Sequence, residues 1–128
     1  IETNGSIDIE LTETWQKKIL FSMSVKLSNS GEPLSKRLKF DILTRIINFV
    51  DESYLKFVVG DEFLQNANDE IDHIIQNIPP CEVYLMPLGD TAHKIDQTSE
   101  AVINLALEKG YKYSDRLHIR VWDNKRGV

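Results

Sequence analysis

Short segments of strand character alternate along this chain with longer segments of helical period, and that alternation is the strongest constraint on its fold. Phe21 to Leu27 (Phe-Ser-Met-Ser-Val-Lys-Leu) switches between apolar and polar residues as a half-buried strand does. Asn29, Ser30, Gly31 and Pro33 make a loop, and Ser35 is placed to cap a helix. Leu38, Ile42, Ile46 and Phe49 then recur at helical spacing, with Lys36, Arg37 and Lys39 expected on the opposite, solvated face. Leu55 to Val59 reads as a second strand ending at Gly60. Asp61 opens a helix striped by Leu64, Ile71, Ile74, Ile75 and Ile78, which Pro79-Pro80 stops. A third strand, Glu82 to Met86, runs to Pro87 and Gly89. The helix after it spans about Thr91 to Lys109, with Ile95, Val102, Leu105 and Ala106 inward and Gly110 as its stop. A last strand is expected from Arg116 to Trp122, followed by a polar tail from Asp123 to Val128.

Strands separated by single helices need crossover connections, so the expected fold is α/β with a largely parallel sheet and right-handed crossovers. No linker, repeat or low-complexity stretch divides residues 1–128. The start of the chain, Ile1-Glu2-Thr3-Asn4-Gly5, reads as a strand end entering a turn. It begins with Ile and shows no basic, apolar or cleavage region of a leader, so the expectation is a piece of a longer polypeptide. Chemistry that needs groups upstream of Ile1 would then be completed elsewhere.

Composition removes several function classes. With 41% hydrophobic and 27% charged residues, the chain has the make-up of a soluble globular domain. No apolar run approaches the roughly 20 residues that span a bilayer, so no membrane partner is expected. A net charge of −5 argues against broad electrostatic binding of nucleic acid, which needs a basic face. Cys81 is the only cysteine, so no disulfide forms within the chain, which fits a reducing, cytoplasmic compartment. One thiolate cannot hold an iron–sulfur cluster or build a cysteine zinc site, and His73, His93 and His118 lack metal-ligand spacing. Cys81 is read as a small apolar filler beside a strand.

Parallel α/β sheets bind ligands at the carboxyl ends of their strands. Here those ends carry Glu2-Thr3-Asn4-Gly5, Lys26-Leu27-Ser28, Val59-Gly60, Met86-Pro87-Leu88-Gly89 and the C-terminal tail. Ser24 and Lys26 lie two apart on one strand and share a face. A lysine pointing inward needs an anionic partner; the other reading is an exposed lysine on an edge strand. Glu2, before a glycine turn, is either a cap or solvated carboxylate or a hydrogen-bond acceptor for a ligand. Met86 is either core or a flat apolar contact at a strand end. His118, between Leu117 and Ile119, faces opposite to them if the segment is a strand, into the sheet's inner face or out to solvent. Arg116 and Arg120 share its face, as an anion site or a solvated basic strip.

Four of these ends together resemble one family. Ile1-Glu2-Thr3-Asn4-Gly5-Ser6 resembles its E-T-N-G-T segment, and Ser24-Val25-Lys26-Leu27-Ser28 its S-P-K-L-S segment. Val83-Tyr84-Leu85-Met86-Pro87-Leu88-Gly89 resembles its strand ending in M-P-x-G. Arg116-Leu117-His118-Ile119, with Asn124-Lys125-Arg126-Gly127-Val128, resembles its R-L-H-I closing strand and C-terminus. The family is the 7-carboxy-7-deazaguanine synthases, radical S-adenosylmethionine enzymes of 7-deazapurine (queuosine-type) biosynthesis. Two departures stand out: Val25 where proline is usual, and Leu88 where an acidic residue is common.

The resemblance implies a partial parallel (β/α) barrel of the radical S-adenosylmethionine type, with this chain as its C-terminal half. It implies a lyase that converts 6-carboxy-5,6,7,8-tetrahydropterin to 7-carboxy-7-deazaguanine, with S-adenosylmethionine, a [4Fe-4S] cluster and magnesium. The cluster cysteines belong to the N-terminal half, so the fragment alone is expected to be inactive. On the resemblance, Glu2, Ser24, Lys26 and Met86 contact the cofactor S-adenosylmethionine. His118 and the terminal Val128 contact the pterin substrate, no catalytic or metal residue lies in this chain, and the complete protein is a homodimer. The rival reading is a non-catalytic α/β module that binds a nucleoside or serves assembly; a third is an unrelated α/β fragment with chance motif matches.

Overall fold

The computed structural model describes residues 1–60, 62, 64–125 and 127. The expected helix start at Asp61, the substrate contact at Val128 and Arg126 of the C-terminal motif lie outside the described residues. Among the described residues five strands form one parallel sheet: β1 (Glu2–Thr3), β2 (Phe21–Met23), β3 (Ser53–Val59), β4 (Glu82–Pro87) and β5 (Lys112–Tyr113). Their spatial order is β1-β2-β3-β4-β5, the same as in the sequence. A sheet whose strands follow in sequence without reversal is wound in one direction, unlike doubly wound folds with a switch point.

The helices are α1 (Leu34–Arg37), α2 (Phe40–Phe49), α3 (Leu64–Gln76), α4 (Ala92–Lys109) and α5 (Leu117–Trp122). Ile42, Leu43 and Ile46 of α2, Ala67, Ile71 and Ile74 of α3, and Val102, Leu105 and Ala106 of α4 join one core with a single face of the sheet. That face supplies Phe21, Met23, Leu55, Phe57, Val59, Val83 and Leu85. Burying such side chains contributes roughly 1.5–3 kcal/mol each against exposure, which is what holds the helices on.

The alternation that puts these residues inward puts their neighbours on the other face. Glu2, Ser22, Tyr54 and Glu82 stand in one row across four strands. Lys56, Tyr84 and Lys112 make the next row, and Val58 and Met86 the one after. None of these residues is fully buried. The sheet thus has one apolar covered face and one polar open face.

Three expectations are corrected. The helix from Ser35 to Phe49 is broken at Leu38 and Lys39, whose backbones are extended, and Pro33 rather than Ser35 precedes its first turn. Arg37 is not on a solvated face: it is 7% exposed and paired with Glu70 of α3. The segment expected as a closing strand, Arg116 to Trp122, is helix α5, and the place beside β4 is taken by Lys112–Tyr113. A strand would set Leu117 and Ile119 together on one face, but only Ile119 is buried, while Leu117 and Val121 are 68% and 59% exposed. In the helix Arg120 binds Asp115, Asp96 and Ser99 Oγ, which ties α5 to α4 and to the connection before it. The strand from Phe21 is also short in its ladder, although the burial alternation continues to Leu27.

Candidate functional site

Two adjoining hollows lie at the carboxyl ends of β3 and β4. The larger, about 520 Å³, is lined by Gly60, Glu62, Leu88, Gly89, Asp90, Lys94, Gln97, Thr98 and Arg116. The smaller, about 250 Å³, is lined by Val25, Lys26, Leu27, Asn29, Ser30, Val58, Leu88 and Arg116. Leu88 and Arg116 belong to both, so the two form one cleft divided by those side chains.

Local sequence explains the walls. Gly89 carries the chain from β4 to α4 so closely that a Cβ there would stand 3.0 Å from the Ile95 backbone nitrogen; no other residue fits without movement. Thr91 caps α4, its hydroxyl accepting from the Lys94 N–H at 3.3 Å. Asp90 is paired with Lys94 at 2.8 Å, and that hydrogen bond holds its carboxyl below the usual carboxylate range. Arg116 donates from Nη1 to the Gly89 carbonyl at 2.8 Å, while its buried Nε has no partner among the described residues. Beyond α5, Asp123 accepts from the Ala92 N–H at 2.7 Å, tying the C-terminal segment to the start of α4.

The candidate cofactor residues fall on the open face and at the cleft, without converging on one point. Lys26 lines the smaller hollow and Met86 stands beside Val58 of its wall. Ser24 is half-buried on the same strand side as Lys26, and its N–H donates to the Thr3 carbonyl at 2.7 Å. Glu2 lies further down the face, level with Ser22 and Tyr54, where it accepts from Lys56 Nζ at 2.7 Å. Lys56 first, and Lys26 to a lesser degree, lower the Glu2 pKa. Two ammonium groups therefore act on one carboxylate, Lys56 by direct contact and Lys26 through its field.

His118 sits exposed on α5 and does not line either hollow. The paired use of Arg116 and Arg120 as an anion strip is also changed. Arg120 is occupied by two carboxylates, which raise its pKa, and only Arg116 faces the cleft.

Three functional candidates were not singled out in the sequence. Lys56 was detectable, because a lysine between Leu55 and Phe57 in a strand must point away from the core. Arg37 and Glu70 carried no local signal; their meeting depends on how α1 and α3 pack. Cys81 lies at the opposite end of β4 from the cleft, where it donates to the Ser53 carbonyl at 3.3 Å and burial pushes its thiol pKa up. A lone, protonated thiol so placed does not fit cluster ligation at the cleft. Among the described residues no group of three His, Cys, Asp or Glu could hold a metal ion. The residues present fit neither the cluster nor magnesium. The ammonium of half-buried Lys26 and the carboxylate of exposed Glu2 have the chemistry to meet the carboxylate and the ribose of S-adenosylmethionine. Among the described residues no helix is long and apolar enough to cross a membrane.

No family model matches the chain, and no solved structure matches it. Curated proteins similar to it carry the name 7-carboxy-7-deazaguanine synthase. That of Rhodopirellula baltica is 32% identical over 143 aligned positions, covering 100% of this chain and 52% of the relative. That of Halobacterium salinarum is 33% identical, covering 97% of this chain and 54% of the relative. That of Pyrobaculum aerophilum is 30% identical, covering 84% and 45%. The chain spans about half the length of the curated relatives it matches.

Proposed function

We propose, from its relation to the 7-carboxy-7-deazaguanine synthases along its whole length, that this chain is the C-terminal part of such an enzyme. In the complete protein it would form half of a partial parallel (β/α) barrel of the radical S-adenosylmethionine type. The observation that carries this reading is the sheet: five parallel strands in sequential order, one face sealed by helices and the other lined with charge. A free-standing α/β domain covers both faces of a parallel sheet, whereas the inner face of a wide barrel holds polar groups around its ligand.

The reaction proposed for the complete enzyme is conversion of 6-carboxy-5,6,7,8-tetrahydropterin to 7-carboxy-7-deazaguanine. S-adenosylmethionine, acting with a cluster and magnesium held elsewhere in the polypeptide, supplies the radical chemistry. This chain's part is to hold and orient. Lys26 offers an ammonium to a ligand carboxylate at the β2 end, and Ser24 adds a hydroxyl on the same side. Glu2, kept ionised by Lys56, accepts from ribose hydroxyls. Met86 gives a flat apolar contact for the adenine ring. His118 and Val128 are assigned to the pterin on the family resemblance. Walls placed before the ligand arrives reduce the entropy lost on reaching a reactive geometry.

Replacing Lys26 by Met in the full-length protein keeps the stem's packing and removes the charge. Losing one charge-assisted hydrogen bond costs about 1.5–3 kcal/mol, or roughly ten- to a hundred-fold in affinity. Calorimetric titration with S-adenosylmethionine and with the pterin measures it. Affinities for both ligands within twofold of wild type would remove Lys26 from the site.

A further inference from the structure

We infer that Arg37 and Glu70 are positioning residues that clamp the backbone on both sides of Leu27 and so hold the Lys26 wall of the smaller hollow in place; this rests on the synthase reading above. Arg37 Nη1 donates to the Lys26 carbonyl at 3.0 Å. Glu70 Oε2 accepts from the Ser28 N–H at 2.9 Å. The two side chains are ion-paired with each other, and Arg37 and Glu70 are only 7% and 16% exposed. Opposite charges thus grip the carbonyl before Leu27 and the N–H after it, while the Leu27 side chain is fixed in the core at 2% exposure. From the other side, Asn29 Nδ2 donates to the Val58 carbonyl at 3.0 Å, tying the same loop to β3.

Lys26 carries no hydrogen bond from its own ammonium among the described residues, so its backbone is what sets where that charge can reach. Arg37 comes from α1, and Glu70 comes from α3, which packs on the covered face of the sheet. The clamp therefore transmits the packing of two outer helices to the wall of an inner hollow. A pair that served stability alone would need no bonds to this loop, and buried ion pairs are weak contributors to stability in any case.

The test replaces both residues by Met in the full-length protein. Exchanging a buried ion pair for apolar groups of similar volume leaves stability about level, so the variant should melt within about 5 °C of wild type. Its affinity for S-adenosylmethionine should fall about tenfold, the effect of losing a placed hydrogen bond. Hydrogen exchange of the peptide containing Ser28 should quicken by about a hundredfold, with β3 and β4 peptides unchanged. Glu70→Gln, which keeps an acceptor for the Ser28 N–H, should restore affinity to within about threefold. Should the double variant fail to fold, Arg37→Lys carries the same test: it retains the charge, loses the guanidinium fork and should weaken binding. Unchanged affinity in a folded variant that has lost the Ser28 protection overturns the inference. Unchanged exchange at Ser28 overturns the clamp itself. Absence of binding by the wild-type protein overturns the synthase reading, and this inference with it.

Discussion

The Lys56 ammonium reaches across β2 to lie 2.7 Å from the Glu2 carboxylate, joining β3 to β1 over the open face of the sheet. Lys56 is 17% exposed and Glu2 66%, so the lysine is the anchored partner and the carboxylate the presented one.

Lys56→Met should raise the Glu2 pKa back towards its ordinary value of 4.5, read by carboxyl NMR titration. The folded pKa is depressed, so the pair's stabilisation is present above 4.5 and is lost as the pH falls through the lowered folded value. With Glu2 largely solvated, the contribution is about 0.2–1 kcal/mol. Denaturation midpoints of wild type and variant should differ slightly at pH 7 and converge in acid. A difference that persists well below the folded pKa would show that Lys56 acts through packing instead.

Gly5 and Gly31 separate backbone strain from crowding. Both have positive φ, at 69° and 74°. A Cβ on Gly5 would stand 2.5 Å from Leu43 Cδ2, whereas one on Gly31 would meet nothing within 4 Å. Gly31→Ala should cost about 1–2 kcal/mol, the left-handed penalty alone. Gly5→Ala adds overpacking against the core and should cost about 2–4 kcal/mol in chemical denaturation. Equal costs would mean that Leu43 yields freely.

Arg120 binds three partners on α4 and the β5–α5 connection: Asp96, Ser99 Oγ and Asp115. Arg120→Met should destabilise by about 1–3 kcal/mol, because Ser99 and two carboxylates lose a charged donor together. Hydrogen exchange should rise in α5 and at the Arg116 wall of the cleft before it rises in β3. Exchange rising evenly through the sheet would place Arg120 in the global fold and not in the local docking of α5.

Most of the sheet was legible in the sequence. β3, β4, α3 and α4 occupy the segments read from period and punctuation, and Ile95, Val102, Leu105 and Ala106 are all buried as expected. Thr91 and Gly110 bound α4 as their chemistry requires, since one hydroxyl and one left-handed residue satisfy the groups a helix end exposes. The carboxyl ends of β3 and β4 meet at a cleft, as parallel topology demands. Misreadings fell where the pattern was short. Five residues from Leu117 alternate as a strand and also close a helical turn, and period alone does not choose between them.

The type of the longer segments, the parallel sheet and the two-faced character of its strands follow from the sequence alone, because side-chain period is a local property set by backbone geometry. The tertiary structure alone decided which charges meet. Helical spacing sets Arg37 opposite the stripe of Leu38, Ile42, Ile46 and Phe49, on a solvated face, yet it is buried against Glu70, thirty-three positions along the chain. Glu2 finds Lys56 across an intervening strand, and Arg120 finds Asp96 on another helix. Ion pairs between distant segments depend on distances of a few ångströms that only packing sets, so the position of Lys26 belongs to the fold and not to its motif.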